Sequence, residues 1–176
     1  PSSSTAAMLA LGDAIALATM ELRGVQPEQY ASYHPGGALG RFLMKCREIM
    51  RTGPDCPSVL ESETLSACYS AIRSAPRRAG AAAVVNPDRR MVGFVTQGDF
   101  FRLISSGKSL QEQMVSDVMT RSPKYVELDT KVVDAIRIMR QHAIDELPVV
   151  DAEHRLAGMI DIQDLISRGF SVFDAS

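Results

Sequence analysis

Apolar positions follow two regimes along the chain. Between residues 6 and 23 almost every side chain is apolar or small. Ala6, Leu9, Ala10, Ala14, Leu17 and Ala18 fall on some sides of a 3.6-residue helix, and Met8, Leu11, Ile15 and Met20 fall on others. Ala, Leu and Met are strong helix formers. Thr5 can cap the start, and Arg23 before Gly24 supplies a basic last turn and a C′ glycine. A helix apolar on all sides has to be covered. Residues 25–42 are too few and too irregular to cover it, since a segment below ~40 residues rarely supports its own core. Residues 1–45 are therefore expected to be the end of a larger domain, with burial in an oligomer interface as the alternative. The stretch from 6 to 22 is short for a bilayer and carries Asp13 near its middle, so no membrane span is expected.

The second regime is periodic and occurs twice. Residues 83–93 (AVVNPDRRMVG) recur at 148–158 (PVVDAEHRLAG), an offset of 65. The register runs on through FVTQGDFF at 94–101 and MIDIQDLI at 159–166, where Asp99 meets Asp164. Upstream, EIMRT at 48–52 matches DVMTR at 117–121 with an offset of 69, so the first copy carries four extra residues, expected around 76–80. Each copy predicts the same order of elements. A short strand comes first, at 58–60 or 125–128. An amphipathic helix follows: Leu65, Cys68, Tyr69 and Ile72 share a face in the first copy, Val132, Ile136, Met139 and Ala143 in the second. Pro76 stops the first helix, and Asp129 or Thr130 can cap the second. Strands 82–85 and 92–95 flank the polar turn Asn86-Pro87-Asp88-Arg89. A closing helix starts from Asp99 or Asp164. Such a β-α-β-β-α unit of ~55 residues exposes too much apolar surface alone, so the two copies should pack together.

This duplicated order, with GFVTQGD and GMIDIQD, resembles a tandem pair of CBS domains, a Bateman module, over residues 47–170. The implied fold class is α/β (α+β), with domains at 46–111 and 112–176. Thr96-Gln97-Gly98-Asp99 lies between a strand and a helix. The helix N-terminus suits phosphate, the Thr96 hydroxyl can donate to it, Gly98 permits close approach, and the Asp99 carboxylate matches adjacent ribose hydroxyls. In CBS domains this position holds the ribose and phosphate of nucleotides. Thr-x-x-Asp is equally close to a capping box, in which the same residues only start the helix. In the second copy Asp161 replaces the threonine. Its charge repels phosphate, while Asp164 keeps the capacity to hold a sugar. Arg102, one turn along, either reaches an anionic ligand or is a solvated surface residue.

Composition narrows the alternatives. At ~100–200 residues per domain, 176 residues allow one or two domains. With 45% hydrophobic and 23% charged residues the chain is an ordinary folded protein rather than a disordered one. Nineteen basic against twenty-one acidic residues leave no electrostatic footprint for nucleic acid or an anionic membrane. Cys46, Cys56 and Cys68 form neither a C-x-x-C pair nor an even set, which suits reduced thiols in a cytoplasm. His34, His142 and His154 have no metal-ligand spacing, and no cofactor is expected. No targeting segment is expected either.

His34 stands in YHPGGALGR at 33–41, where Pro35, Gly36 and Gly37 shape a sharp loop before a helix starting near Ala38. Histidine suits proton transfer near neutrality, but beside a Pro-Gly turn it is more often structural. The segment SSSTAAMLALGDAIALA, then HPGGALGR, then a CBS pair together resemble the C-terminal half of D-arabinose-5-phosphate isomerases, which join a sugar-isomerase (SIS) domain to a CBS pair. The resemblance implies aldose–ketose isomerisation between ribulose 5-phosphate and arabinose 5-phosphate, feeding synthesis of the lipopolysaccharide sugar Kdo. It implies His34 as an active-site residue, a sugar-phosphate substrate for the parent enzyme, a nucleotide or CMP-sugar in the CBS cleft, and a dimer or tetramer. The remaining catalytic residues are expected upstream of Pro1, so the chain alone should be inactive. The alternatives are a regulatory CBS pair on a different SIS-domain protein, or a pair that only mediates oligomerisation.

Overall fold

The structure, a computed structural model, describes residues 2–26, 29 and 37–171. The chain divides into two compact units, Pro1–Leu43 and Met44–Ser176. The first contains helix α1 (Ser3–Leu22) and the short helix α2 (Ala38–Leu43). No residue of α1 is buried. Its length and composition would also pass for a bilayer-crossing helix, a property that core helices of soluble proteins share. The helix begins three residues earlier than expected. Ser2 is the N-cap and makes no capping bond, so Thr5 lies inside the first turn rather than ahead of it. At the other end Gly24 takes φ +61°, donating from its N–H to Glu21 O at 3.0 Å while Val25 N–H reaches Met20 O at 3.0 Å. These two bonds satisfy the last carbonyls of the helix, the role foreseen for Gly24.

The second unit is built twice over. Its first copy runs β1 (Ser58–Leu60), α3 (Leu65–Ser74), β2 (Ala81–Val85), β3 (Met91–Thr96) and α4 (Gln97–Ser105). After α5 (Val115–Val118), the second runs β4 (Val126–Glu127), α6 (Val132–His142), β5 (Glu146–Val150), β6 (Leu156–Asp161) and α7 (Ile162–Ser167). The sheets are ordered β1-β2-β3 and β4-β5-β6, with the first pair parallel and the second antiparallel in each. Even the irregularities repeat. The register shifts at Val84/Val85 and again at Val149/Val150, and Arg89 and His154, both at φ 62°, close the two hairpins.

The run Ala81–Val85 is apolar without alternation because both faces of β2 are covered. Ala82 and Val84 face a core with Leu65, Cys68 and Ile72 of α3 and Phe100 and Leu103 of α4. Ala81, Ala83 and Val85 face the other copy, meeting Leu156 and Met159. The equivalent core of the second copy gathers Val132, Ile136, Met139, Leu147, Val149 and Leu165.

Each copy borrows its leading segment from the far side of the chain. Cys46 and Ile49 lie in the second copy's core, and Val115 and Met119 lie in the first copy's. Backbone bonds fix the exchange: Val132 N–H to Met44 O at 2.8 Å, and Val115 N–H to Glu63 O at 2.9 Å. The Met50 thioether seats on Gly158 and that of Met119 on Gly93. The two copies are thus clasped, not merely adjacent.

Three local expectations are corrected. Lys131, not Asp129 or Thr130, is the N-cap of α6; Asp129 instead pairs with Lys45 and Arg47, and the Thr130 hydroxyl accepts from Glu127 N. Ala143 is not on the buried face of α6, because it ends the helix in the left-handed region at φ 50°. Tyr69 is half exposed, its ring edge-on to Phe100 at 5.8 Å. The four extra residues are also split. Matched bridges give offsets of 69 at Arg51/Thr120 and 65 at Phe94/Met159, and in the matched strand pairs Val59/Val126 give 67 while Val84/Val149 give 65. Two insertions therefore sit before β1, near the turn Gly53–Asp55, and two between α3 and β2.

Candidate functional site

The clasp leaves two clefts between the copies, related by the repeat. The first, of about 480 Å³, is lined by Thr96, Gln97 and Gly98 at the start of α4 and by Thr120, Ser122 and Lys124 from the segment leading into β4. Its far wall is Asp145 and Glu146. The second, of about 640 Å³, is lined by Asp161, Gln163 and Asp164 at the start of α7 and by Arg51, Arg77 and Arg78. Gly80, Gln97, Asp145 and Glu146 border both clefts.

In the first cleft Thr96 is the N-cap of α4, so the strand β3 delivers its hydroxyl to the cleft wall and the helix turns away behind it. The Asp99 carboxylate lies beneath. Its Oδ2 accepts from Thr96 N at 2.7 Å and Thr96 Oγ1 at 2.9 Å, and its Oδ1 pairs with Arg102 Nη2. The pair caps the helix, and of the two only Thr96 lines the cleft, with Asp99 buried behind it. The Asp99 side chain is 5% exposed, whereas Arg102, its partner, is 75% exposed.

The second cleft is wired differently. Arg51 donates from Nε to Asp164 Oδ2 at 2.7 Å, from Nη2 to Asp164 Oδ1 at 3.2 Å, and from Nη1 to the Arg78 carbonyl at 2.7 Å. Nη2 also meets Asp161 Oδ2 at 2.9 Å. Arg77 adds a 3.2 Å contact to Asp164 and spans to Asp55 at 3.6 Å. Asp161 Oδ1 accepts from Gln163 N at 2.7 Å, capping α7. The bond to Arg51 holds the Asp164 carboxyl below its usual range despite partial burial, and the same bond raises Arg51. Glu146 shifts upward, first because it is buried and then because Asp161 is near; the Gly80 N–H acts the other way.

Thr96, Asp99 and Arg102 therefore fall together, Asp164 lies across the clasp in the other cleft, and His34 lies outside the described residues. The helix expected near Ala38 is present as α2. Arg51, Arg77, Lys124 and Glu146 were not singled out from sequence. The repeat alignment already sets Arg51 opposite Thr120 and Asp161 opposite Thr96, a base and an acid replacing two neutral hydroxyls. That paired exchange was the available signal for Arg51.

Known proteins extend this description. The chain is 36% identical over 171 residues to the arabinose 5-phosphate isomerase KdsD of Pseudomonas aeruginosa, covering 96% of this chain and 52% of that protein. It is 34% identical over 171 residues to the isomerase of the same name from Escherichia coli, covering 96% of this chain and 51% of that protein. The chain thus spans about half the length of the curated relatives it matches. Among solved structures it is similar to a CBS domain protein from Pyrobaculum aerophilum complexed with AMP, with a TM-score of 0.62, 24% identity and coverage of 69% of this chain and 90% of that one. The CBS domain family model matches residues 46–106 and 115–170, the two copies of the duplicated fold, and the chain belongs to the CBS domain family.

Proposed function

We propose that the chain is the C-terminal part of a D-arabinose-5-phosphate isomerase and that its CBS pair is the regulatory module, holding a nucleotide or nucleotide-sugar in the Thr96 cleft. One observation carries the isomerase reading. The alignment to the Pseudomonas isomerase takes in 96% of the chain, whereas the CBS match begins only at residue 46. The leading segment, with α1 and the His-Pro-Gly-Gly loop, is thus shared with an isomerase and not only with CBS proteins at large.

Moving a hydrogen between C1 and C2 of a sugar phosphate needs a base at carbon, a proton carrier between two oxygens and a phosphate anchor. His34 serves as the proton carrier or in ring opening. The other groups belong to the preceding domain, whose interior the uncovered apolar faces of α1 complete. The whole protein takes ribulose 5-phosphate and arabinose 5-phosphate as substrates, acts in the cytoplasm and assembles as a dimer or tetramer.

The ligand reading rests on the chemistry of the Thr96 cleft. Lys124 and the hydroxyls of Thr120 and Ser122 suit a phosphate, joined by the Thr96 hydroxyl once it turns from Asp99, and Asp145 and Glu146 offer acceptors to an amino-bearing base. Calorimetric titration with AMP, ATP and CMP-Kdo tests it, with binding of at least one expected and no heat from any at high concentration refuting it. An isomerase assay tests the other half: the chain alone should show no turnover, and turnover comparable to a full-length relative would contradict the placement of the catalytic groups.

A further inference from the structure

The two clefts are equivalent by fold and unequal in chemistry. Resting on the reading above that the Thr96 cleft takes a nucleotide, we infer that ligand binding is confined to that cleft, one ligand per chain, and that in the other cleft, the larger of the two, Arg51 withholds the carboxylates that would face a ribose.

Arg51 exchanges backbone hydrogen bonds with Met159, and Thr120 exchanges the matching pair with Phe94, so Arg51 and Thr120 are mates. Gln97 N–H donates to Gly80 O at 2.9 Å and Ile162 N–H to Asp145 O at 2.9 Å, which makes Thr96 the mate of Asp161 and Asp99 the mate of Asp164. Going from the first cleft to the second, two neutral hydroxyls become a guanidinium and a carboxylate in contact at 2.9 Å.

The two ribose-type carboxylates differ in how easily they can be released. Asp99 is covered by Arg102, a side chain 75% exposed on its own helix. A solvated arginine can swing away and be rehydrated at little cost, so a ligand hydroxyl can take its place. Asp164 is held by Arg51, whose side chain is 5% exposed. Arg51 cannot leave without breaking its bonds to Asp161, Asp164 and the Arg78 carbonyl together. Both oxygens of Asp164 are engaged by Arg51, and Arg77 takes a further lone pair. Asp161 adds a negative charge where a phosphate would have to approach the start of α7. Of four donor contacts from Arg51, three go to the second copy and one to the first, so Arg51 also fastens the clasp.

The test is calorimetry on the whole chain with AMP, ATP and CMP-Kdo, for wild type, Gly98→Leu and the double variant Arg51→Thr with Asp161→Thr. A Cβ at Gly98 meets only Thr96 Oγ1 at 3.5 Å and Arg102 Nη1 at 3.7 Å, so a larger side chain there fills the first cleft without a clash in the backbone. The expected results are one equivalent bound to wild type, at least a hundredfold weaker binding to Gly98→Leu, and two equivalents bound to the double variant. Two equivalents on wild type, unchanged affinity in Gly98→Leu, or a folded double variant that still binds one would overturn the inference while leaving the nucleotide reading standing. No heat from any of the three ligands on wild type removes that reading and this inference with it. If circular dichroism shows the double variant unfolded, the wild-type stoichiometry and Gly98→Leu decide.

Discussion

Arg51 and Thr120 stand at equivalent points of the two copies. Arg51 exchanges bonds of 2.8 and 3.0 Å with Met159, and Thr120 exchanges bonds of 2.9 and 3.0 Å with Phe94. The same backbone therefore carries a buried charge on one side of the clasp and a small hydroxyl on the other. From that single difference follow a cleft lined by paired charges, a cleft lined by hydroxyls and most of the electrostatics of the unit.

Removing the buried charge should be costly. Arg51→Met leaves Asp161 without its cation and Asp164 with only the exposed Arg77, and breaking a buried pair from one side costs ~3–5 kcal/mol. Arg102→Ala removes an exposed partner and should cost less than about 1 kcal/mol. Urea denaturation of both variants checks the order, and equal losses would contradict it.

The glycines under the two methionines should not be equally replaceable. A Cβ at Gly158 meets the Arg51 carbonyl oxygen at 2.5 Å, and that oxygen is fixed by its bond to Met159 N. A Cβ at Gly93 meets only the Met119 side chain, whose thioether can move. Gly158→Ala is expected to lose ~1–3 kcal/mol as an overpacked site, and Gly93→Ala less. Thermal melts of the two variants at one pH decide this, and a milder Gly158→Ala would count against the geometry of the clasp.

Two carboxylates should move stability in opposite directions with pH. Asp164 has its folded pKa lowered by Arg51, so its contribution is present above the ordinary carboxylate pKa of ~3.9 and is lost as pH falls through the lower folded value. Glu146 has its folded pKa raised by burial, so its contribution is complete below its ordinary pKa and is lost as pH rises through the higher folded value. Glu146→Gln removes that loss. The variant should melt higher than wild type at pH 7 and lose the advantage by pH 4; a lower melting temperature at pH 7 refutes the sign.

The three thiols should be inert in the folded chain. Burial pushes Cys46 and Cys68 up to about 12 and Cys56 to about 11. Only thiolate reacts, so at pH 8 a thiol reagent should label the native chain slowly and all three cysteines quickly in urea. Rapid labelling of the folded chain would place at least one of them at the surface.

Most of the architecture was legible because it is periodic. The 65-residue echo and the unbroken run at Ala81–Val85 identify the doubled sheet and its two covered faces. What escaped was settled by contacts distant in sequence. Asp129 has the composition of a cap, yet it pairs with Lys45 and Arg47, which the exchanged leading segment brings from the other end of the unit. Arg51 looks like a surface residue beside Thr52, and only the clasp buries it against Asp161 and Asp164. Ala143 fits the helix period, but the chain needs a left-handed residue there to turn into β5. Thr96, Asp99 and Arg102 were all named from sequence, and what the structure adds is the pairing of Arg102 with Asp99.

The most direct measurement of the central claim is an amide chemical-shift map of the ¹⁵N-labelled chain titrated with the nucleotide that calorimetry selects. The largest shifts are expected at Gly98, Thr120 and Ser122, with Gln163 and Asp164 nearly still. Shifts centred on Gln163 and Asp164, or divided equally between the two clefts, would contradict that claim.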